Sequence, residues 1–350
     1  MFDNSAFDHH EGVHFFHDAE SGLRAVIAVH STALGPSAGG TRMWNYADSR
    51  SMVTDALRLS QGMSYKNAMA AIPHGGGKAV IWGDSRKDKS EALFRAFGRA
   101  VESLQGRYWT AEDVGIETAD IEMAAKETRY AAGLTSSDAA SGDPSPVTAL
   151  GVFRGIQQCA LRAFGSDDLN GKTVAVQGVG SVGGYTCLHL AEAGAHLVLT
   201  DIDQEALGDI AQRTGAKVVA PDEIYDVDAD IFSPNALGAV INEDTLKRLK
   251  VKVIAGGANN QLVIPQMGEF VRRAGILYAP DYVINGGGII NVAAEISGTY
   301  SREWVSGKLD TLMETLGDVL DEALETGAAT NAVADTMAKA RLAAGNHPKG

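Results

Sequence analysis

The sequence predicts an α/β protein of two domains, and three observations lead to this expectation. The chain has 350 residues, a length that favours two domains over one. Hydrophobic residues make up 45% of the chain, which is enough to build a core in each half. Short apolar strands alternate with longer helical patterns in the second half, and this alternation is typical of a parallel sheet covered by helices.

Charge and cysteine content exclude several classes of protein. The net charge of −14 argues against nucleic acids and anionic membranes as partners, because both require basic patches. The two cysteines, Cys159 and Cys187, lie in helical patterns and suggest a reducing compartment rather than a disulfide framework. Residues 1–12 are polar and acidic, unlike a signal peptide, and no apolar run is long enough to cross a bilayer. We therefore expect a soluble cytoplasmic protein.

The first fifty residues are typical of strands and turns. Residues 13–17 and 23–30 carry β-branched and aromatic side chains, and a glycine-rich loop follows at 35–42. Four histidines, at positions 9, 10, 14 and 17, raise the possibility of a metal site. Since no cysteine or second cluster accompanies them, we expect no metal.

The stretch from Gly62 to Gly83 carries two lysines in apolar, glycine-rich surroundings. Lys66 ends a helical pattern that begins near Ser51, and Lys78 follows three glycines and opens a strand over 78–82. Glycines allow close approach of the backbone, and burial disfavours the charged form of an amine. Lys78 is therefore a candidate general base and Lys66 a candidate anion-binding residue. The alternative is that both are surface lysines beside a loop.

A second candidate is an acid in a loop. An amphipathic helix over 89–104 and a short strand over 108–110 lead into the loop 111–115, which contains Asp113. An acidic residue at a strand end can reach a cleft, but Asp113 could instead cap the helix that starts near Thr118. Both interpretations stay open on local grounds. Residues 134–146 are small and polar, with two prolines, and predict a linker before a helix over 147–164.

The strongest local motif lies in the second half. The apolar strand 172–177 runs into Gly178-Val179-Gly180-Ser181-Val182-Gly183, which opens a helix to Ala193. A strand over 196–200 then leads to Asp201, and this context is the one required for a dinucleotide site. Gly178 permits the tight turn, Gly180 lets the backbone approach the pyrophosphate, and Gly183 allows close packing of helix on strand. Asp201 would accept hydrogen bonds from the ribose and repel a 2′-phosphate, which favours NAD over NADP. A glycine-rich turn without a ligand is the alternative.

Buried strands are expected at 216–219, 229–232 and 251–255, and one more strand at 275–279. Helices are expected after Asn285, at 302–325 and at 331–344. The carboxyl ends of parallel strands form a ligand crevice. Candidate cofactor-binding residues at these strand ends are Asn235, Ala258, Asn259 and Asn285.

Eight motifs together resemble the glutamate, leucine, phenylalanine and valine dehydrogenase family of amino-acid dehydrogenases, and within it the leucine/valine/phenylalanine branch. They span nearly the whole chain, at 35–42, 63–68, 75–81, 110–115, 144–149, 178–183, 258–262 and 280–285. The resemblance implies NAD-dependent oxidative deamination, in which an L-amino acid and water give a 2-oxo acid, ammonia and NADH.

The resemblance also implies residue roles. Lys66 matches the lysine that holds the substrate carboxylate, and Lys78 matches the lysine that activates water in its uncharged form. Asp113 matches the acid that exchanges a proton with the substrate nitrogen. Gly40 matches a backbone contact to the substrate, and Thr148 matches a threonine near the nicotinamide. Asn259 matches an asparagine that orients cofactor and substrate.

The family architecture implies three segments. Residues 1–137 would form an α/β substrate-binding and dimerisation domain, residues 138–328 a Rossmann NAD-binding domain, and residues 329–350 a helix returning to the first domain. The active site would lie in the cleft between the domains, which would close during turnover, with hinges near 134–146 and in the tail. Assembly as a homo-oligomer, a dimer or larger, is expected.

The resemblance gives a mixed answer on the substrate. Ala38 opens one wall of the pocket relative to leucine enzymes, Ala111 agrees with the leucine type, and Ile289 and Val292 match branched residues that narrow the pocket. Ala38 also stands where glutamate enzymes would need a cation. We expect leucine or another branched-chain amino acid, with phenylalanine or broad hydrophobic specificity as the alternative. A catalytically silent NAD-binding regulator is a remote alternative, because Lys66, Lys78 and Asp113 are all present.

Overall fold

The computed structural model describes residues 2–134, 143–236, 238–298 and 300–345, which group into two compact units. Unit 1 contains residues 1–142, 289–306 and 338–350, and unit 2 contains residues 143–288 and 307–337. Each unit is a β-sheet with helices, so the predicted α/β class with two domains is confirmed. Residues 289–306, which the sequence-based bounds assigned to the second domain, cluster with unit 1.

Unit 1 is built on a mixed sheet of six strands. They are β1 (Gly12–Asp18), β2 (Leu23–Ser31), β3 (Ser37–Ala38), β4 (Thr41–Trp44), β5 (Gly75–Trp82) and β6 (Tyr108–Trp109). β2 pairs antiparallel with both β1 and β5. β3 runs parallel to the start of β5 and to β6, and β4 runs parallel to the end of β5. The strand that carries Lys78, β5, therefore lies at the centre of the sheet.

Helices cover both faces of this sheet. They are α1 (Ser49–Met69), α2 (Glu91–Glu102) and α3 (Thr118–Ala125). Val26 and Val80 share a buried cluster with Leu57 of α1, whereas Ile27 belongs to the cluster that includes Phe97 of α2. Successive residues of a strand point to opposite faces, so a sheet buried on both faces needs nearly continuous apolar strands. This requirement explains the apolar runs of β2 and β5.

Unit 2 is built on a fully parallel sheet. Its strands are β7 (Thr173–Gln177), β8 (His196–Thr200), β9 (Lys217–Val218), β10 (Ile231–Pro234), β11 (Val253–Ile254) and β12 (Leu277–Tyr278). They lie in the order β12-β11-β10-β7-β8-β9, so the chain reverses direction across the sheet after β9. In such sheets a ligand site forms at the carboxyl ends of the strands where the order reverses.

The remaining helices follow from residue 145 onward. They are α4 (Ser145–Phe164), α5 (Ser181–Glu192), α6 (Gln204–Thr214), α7 (Glu243–Arg248), α8 (Met267–Arg273), α9 (Asp281–Ile284), α10 (Gly287–Ile296), α11 (Arg302–Thr326) and α12 (Thr330–Ala344), with a 3₁₀ turn over Glu223–Asp226. The last part of α12 belongs to unit 1, where Arg341 donates hydrogen bonds to the carbonyl oxygens of Ala68 and Met69 at the end of α1. These bonds satisfy carbonyl groups that a helix end otherwise leaves unpaired. No helix within the described ranges is long and apolar enough to span a membrane.

Several boundaries differ from the sequence-based expectation. β5 begins at Gly75, three residues before Lys78, because β3 pairs with Gly75 and Gly76. β9 was expected to be buried, but both of its residues are exposed, since this short strand lies at the sheet edge. α4 begins at Ser145, so Pro146 lies in its first turn, where proline is tolerated. Most of the expected linker, residues 135–142, lies outside the described residues.

Candidate active site

The three glycines before Lys78 are required by close packing around β5. A Cβ atom at position 75 would meet the carbonyl oxygen of Ser31, and one at 76 would meet the backbone of Ser64 in α1. A Cβ at 77 would lie 2.7 Å from the ring of Tyr108. Any side chain here would push α1 or β6 away from the strand. The glycines therefore let α1, which carries Lys66, pack directly against the strand that carries Lys78.

Lys78 is buried and paired with an acid. Only 5% of its surface is exposed, and it follows the three glycines that open β5. Its Nζ atom lies 2.7 Å from Oδ2 of Asp113. This burial excludes the alternative that Lys78 is a surface lysine. Lys66 lies in the last turn of α1 and is partly exposed.

Asp113 belongs to this pair and not to a helix cap. Helix α3 begins at Thr118, and its first-turn carboxylate, Asp120, accepts from the N–H of Glu117. The carboxylate of Asp113 instead contacts Lys78 and Arg42. Burial alone would raise the pKa of Asp113, but the charges of Lys78 and Arg42 outweigh burial and lower it. Asp113 is therefore ionised at neutral pH.

Arg42 lies in the glycine-rich motif at 35–42 but is not among the predicted site residues. Its Nε atom lies 3.3 Å from Oδ2 of Asp113, and its Nη1 atom lies 3.2 Å from Oδ2 of Asp55 on α1. The hydroxyl of Tyr46 donates to the same oxygen of Asp55 at 2.6 Å. The sequence offered one signal for Arg42, a charged residue in a four-residue strand beside a glycine-rich loop. Its partners lie 13 and 71 positions away in sequence.

Three other residues expected to contact substrate lie in the same part of unit 1. Ala38 and Ala111 are buried, with 1% and 7% of their surfaces exposed. A Cβ at Gly40 would meet the carbonyl oxygen of Glu112 and lie 2.9 Å from Cβ of Asp113. The carbonyl oxygen of the preceding glycine, Gly39, accepts a 2.6 Å hydrogen bond from the Tyr108 hydroxyl. The loop that follows β3 is thus packed against the loop that carries Asp113.

Ile289 and Val292 lie one turn apart on α10. Both are partly exposed, whereas Ile290 and Ala293 on the same helix are buried. Residues three apart on a helix share a face, so Ile289 and Val292 form one apolar strip with space beside it. Such partial exposure is compatible with the wall of a pocket.

In unit 2, the three motif glycines occupy three different environments. Gly178 has φ of +94°, a conformation that other residues rarely adopt, and Ala236 lies where its Cβ would be. A Cβ at Gly183 would meet the carbonyl oxygen of Gly178, because α5 packs closely on the loop. Nothing lies within 4 Å of the Cβ position at Gly180. The open space beside Gly180, at the N-terminus of α5, fits a pyrophosphate group.

Asp201 fixes the glycine loop from the end of β8. Its Oδ2 atom accepts the N–H of Val179 at 2.6 Å, and its Oδ1 atom accepts the N–H of Asp203 at 2.9 Å. Asp203 in turn accepts from the first turn of α6. The carboxylate thereby holds a fixed position beside the loop, where a ribose would lie next to the pyrophosphate.

The asparagines at the other strand ends are joined by hydrogen bonds. Oδ1 of Asn235 accepts the N–H of Gly257 at 2.8 Å. Nδ2 of Asn285 donates to the carbonyl oxygen of Gly257 at 3.1 Å and to Oδ1 of Asn259 at 2.7 Å. Ala258, between these residues, is buried. The structure thus brings together the four residues predicted at the ends of β10, β11 and β12.

Thr148 lies in the first turn of α4, where its hydroxyl donates to the carbonyl oxygen of Pro144 at 2.9 Å. Only 8% of its surface is exposed. The loop residues Ser181 and Val182 begin α5, so their backbone N–H groups lie at the positive end of that helix.

The N-terminal histidines and a cavity beside β1 are separate from these residues. His10 is buried, with Nε2 at 3.0 Å from the carbonyl oxygen of Leu57, and no group of metal-ligating side chains occurs in the described part of the chain. A cavity of about 570 Å³ lies between β1 and the residues after α2, and Phe16 and Leu104 are among the residues that line it. It contains none of the residues predicted to bind substrate or cofactor.

Comparison with known proteins agrees with these features. Residues 10–130 match the family model described as Glu/Leu/Phe/Val dehydrogenase, dimerisation domain. Residues 141–202 and 199–350 match the model described as Glutamate/Leucine/Phenylalanine/Valine dehydrogenase.

Individual relatives cover nearly all of the chain. It is 51% identical over 333 residues to leucine dehydrogenase of Geobacillus stearothermophilus, covering 95% of this chain and 90% of the relative. It is 48% identical over 294 residues to phenylalanine dehydrogenase of Lysinibacillus sphaericus, covering 83% and 77%. The crystal structure of L-tryptophan dehydrogenase from Nostoc punctiforme matches with a TM-score of 0.85 at 42% identity, covering 96% of both chains. The resemblance seen in the motifs is therefore confirmed: the chain belongs to the Glu/Leu/Phe/Val dehydrogenase family and is an amino-acid dehydrogenase that acts on a CH–NH₂ group.

Proposed function

We propose that this enzyme oxidatively deaminates L-leucine and related branched-chain amino acids with NAD, and that it also catalyses the reverse reductive amination. The ion pair between the buried Lys78 and the partly exposed Asp113, with 2.7 Å between Nζ and Oδ2, carries the proposal. The pair combines a candidate base and a candidate acid in one place, as deamination requires. The 51% identity to a leucine dehydrogenase supports the choice of substrate.

The residues of unit 1 would divide the chemistry as follows. Lys66 binds the substrate carboxylate through its ammonium group. NAD, when bound, accepts the hydride that leaves the α-carbon. Lys78 in its uncharged form takes a proton from water as the water oxygen bonds to the α-carbon of the iminium. Asp113 exchanges protons with the substrate nitrogen, which leaves as ammonia, and its negative charge stabilises the cationic iminium.

Three features of unit 2 support NAD as the cofactor. The open space at Gly180 and the N-terminus of α5 would bind the pyrophosphate. The carboxylate of Asp201 would accept hydrogen bonds from the ribose hydroxyls and repel the 2′-phosphate of NADP. Asn259 and Asn285, which are hydrogen-bonded to each other, would face the nicotinamide side together with Thr148. Direct hydride transfer would require the amino acid and the cofactor to be bound at the same time.

The substrate pocket favours a branched aliphatic side chain. Ile289 and Val292 would narrow the pocket, while Ala38 and Ala111 would leave space on other walls. One methylene in an apolar pocket changes the transition-state free energy by only about 1–3 kcal/mol, so related substrates would also react. The phenylalanine and tryptophan dehydrogenases among the relatives make a broader hydrophobic specificity the second candidate.

Initial rates test both parts of the proposal. NADH formation would be followed with leucine, valine, isoleucine, phenylalanine, tryptophan and glutamate, each with NAD and with NADP. We expect the highest kcat/KM with a branched-chain substrate and NAD. A clear preference for an aromatic amino acid would contradict the proposed branched-chain substrate. A preference for NADP would contradict the proposed role of Asp201. Absence of turnover with every pair would leave only an NAD-binding protein.

We also propose that the enzyme is a cytoplasmic homo-oligomer that assembles through unit 1. The family model over residues 10–130 is described as a dimerisation domain, which supports this part of the proposal. The two cysteines, which are free and buried, suit a reducing compartment. Light scattering of the purified protein would measure the number of subunits, and a monomer at working concentration would contradict the proposal.

A further inference from the structure

Arg42 joins the candidate acid to a second carboxylate. Its side chain extends from β4 and is 22% exposed, with Nε toward Asp113 and Nη1 toward Asp55. Asp55 is itself bound by the Tyr46 hydroxyl. The guanidinium group is therefore held by Asp55 of α1 and contacts the same carboxylate oxygen, Asp113 Oδ2, that Lys78 contacts.

The charges of four of these side chains balance, those of Arg42, Lys78, Asp113 and Asp55. With Lys78 protonated, two cations face two anions, Asp113 and Asp55. If Lys78 loses its proton, the group carries one net negative charge. The reaction then places a positive iminium beside Asp113, which offsets that charge. In this state Arg42 is the cation that still contacts Asp113, because a guanidinium does not lose its proton in proteins.

We propose that Arg42 is a positioning residue that keeps the Asp113 carboxylate aligned and ionised while Lys78 is uncharged. This inference rests on the proposed deamination, in which the uncharged amine of Lys78 acts on water. Without Arg42, the carboxylate and the ammonium would each depend on the other for their charge. A neutral Lys78 would then leave the Asp113 carboxylate with no cation among these side chains, so the loss of Arg42 disfavours the uncharged amine.

Other groups around Asp113 cannot take the place of Arg42. Lys78 faces it from β5 and Arg42 from β4, while Tyr46 lies beyond β4 and Tyr108 on β6. Burial raises the pKa of Tyr108 to about 12, and burial together with Asp55 also raises that of Tyr46. Both phenols therefore stay neutral over the working pH range. Arg42 is the permanent positive charge among these neighbours.

The test compares pH profiles of deamination for the full-length enzyme and three variants. In Arg42→Gln, we expect kcat at neutral pH to fall by about 10- to 100-fold, the range of a hydrogen bond to a charged group. The loss should shrink as the pH is raised, because the rising part of the profile moves to higher pH. Arg42→Lys keeps the charge and should restore the pH profile, with a smaller loss of kcat. Asp55→Asn removes a negative charge and should move the rising part of the pH profile slightly to lower pH.

Controls separate this inference from fold defects and from the proposed function. Arg58→Gln also removes one positive charge, but from an exposed position on α1, and should leave the rates and the pH profile unchanged. Thermal unfolding identifies variants that do not fold. If Arg42→Gln does not fold, Asp55→Asn still tests the inference, because its amide oxygen can accept the hydrogen bond from Tyr46. A wild-type profile in Arg42→Gln, an equal loss at every pH, or an unshifted profile in Asp55→Asn would overturn the inference. Lack of NADH formation by the wild-type enzyme would instead overturn the proposed function.

Discussion

The candidate cofactor site of unit 2 and the candidate catalytic site around Lys78 in unit 1 are built from different kinds of chemical group. Around Gly178–Gly183, the surfaces offered to a ligand are backbone N–H groups and open space, with one carboxylate, Asp201, beside them. Around Lys78, they are charged side chains held by one another. Backbone groups keep their charge distribution at all pH values, whereas ionisable side chains do not. The two regions should therefore respond differently to substitution and to pH.

Lys78→Ala should have the largest effect and should separate the two regions most clearly. General base catalysis contributes about 10²–10⁴-fold, so we expect kcat to fall by at least that range. NADH binding should persist, because the glycine loop belongs to unit 2. Steady-state rates and a fluorescence titration with NADH measure the two effects.

Lys87→Ala is the matched control, since Lys87 follows the same strand but 78% of its side chain is exposed. It should leave both kcat and NADH affinity unchanged. Retained turnover in Lys78→Ala would remove the proposed mechanism, and a loss of NADH binding would show that the two regions are not separable in this way.

A pair of glycine variants should divide the cofactor site into a part needed for folding and a part needed for binding. Gly183→Ala places a Cβ against the Gly178 carbonyl oxygen and should lower the free energy of unfolding by about 1–3 kcal/mol, as overpacking does. Gly180→Ala meets no protein atom within 4 Å and should lower it by less than about 1 kcal/mol. NADH affinity should nevertheless fall in Gly180→Ala, because the new methyl group would occupy space that we propose for the pyrophosphate.

Thermal unfolding and NADH titration of both variants measure this difference. Equal losses of stability would contradict the packing argument. Unchanged NADH affinity in Gly180→Ala, with the fold intact, would mean that the pyrophosphate does not approach the loop at this position.

The same contrast explains what could be predicted from the sequence. The cofactor loop is a local motif: strand, glycines, helix and acid follow within about thirty residues, the length of one βαβ unit, and the structure has them in that order. Lys78 and Asp113 could be identified individually and through the family resemblance. Their connection to Arg42 and Asp55 could not, because it depends on β4 pairing with the end of β5 and on α1 packing beside them. Such pairings join residues far apart in sequence and leave no periodic pattern.

Two short strands and the grouping of residues 289–306 could not be predicted, for a related reason. β3 and β4 contain two and four residues, too few for an alternating pattern, yet both pair with β5. The edge strand β9 has apolar neighbours in sequence but is covered on neither face. The grouping of residues 289–306 with unit 1 depends on tertiary contacts alone, since the helix α10 starts in unit 2 without a break in its pattern.

The smallest expected effect concerns pH and the buried histidines of unit 1. His10 and His30 are each 8% exposed, with ring centres 4.8 Å apart. Nδ1 of His30 lies 2.7 Å from the hydroxyl of Ser64, the α1 residue that contacts Gly76 beside Lys78. Burial lowers the pKa of both histidines below 6.5, although Asp8 partly offsets the effect at His30.

A lowered pKa in the folded state means that the unfolded chain binds protons first as the pH falls. The stabilisation is therefore complete above pH 6.5 and is lost as the pH falls from 6.5 through the folded pKa values. The slope cannot exceed about 1.4 kcal/mol per pH unit for each histidine. Because both histidines belong to unit 1, acid should weaken α1 and β2 before it weakens β7 and β8 of unit 2. Hydrogen exchange at pH 7.5 and 5.5, corrected for intrinsic rates, measures the protection of each element. His30→Gln should reduce the difference between the two pH values in unit 1, whereas equal loss of protection in both units would show that these histidines do not control it.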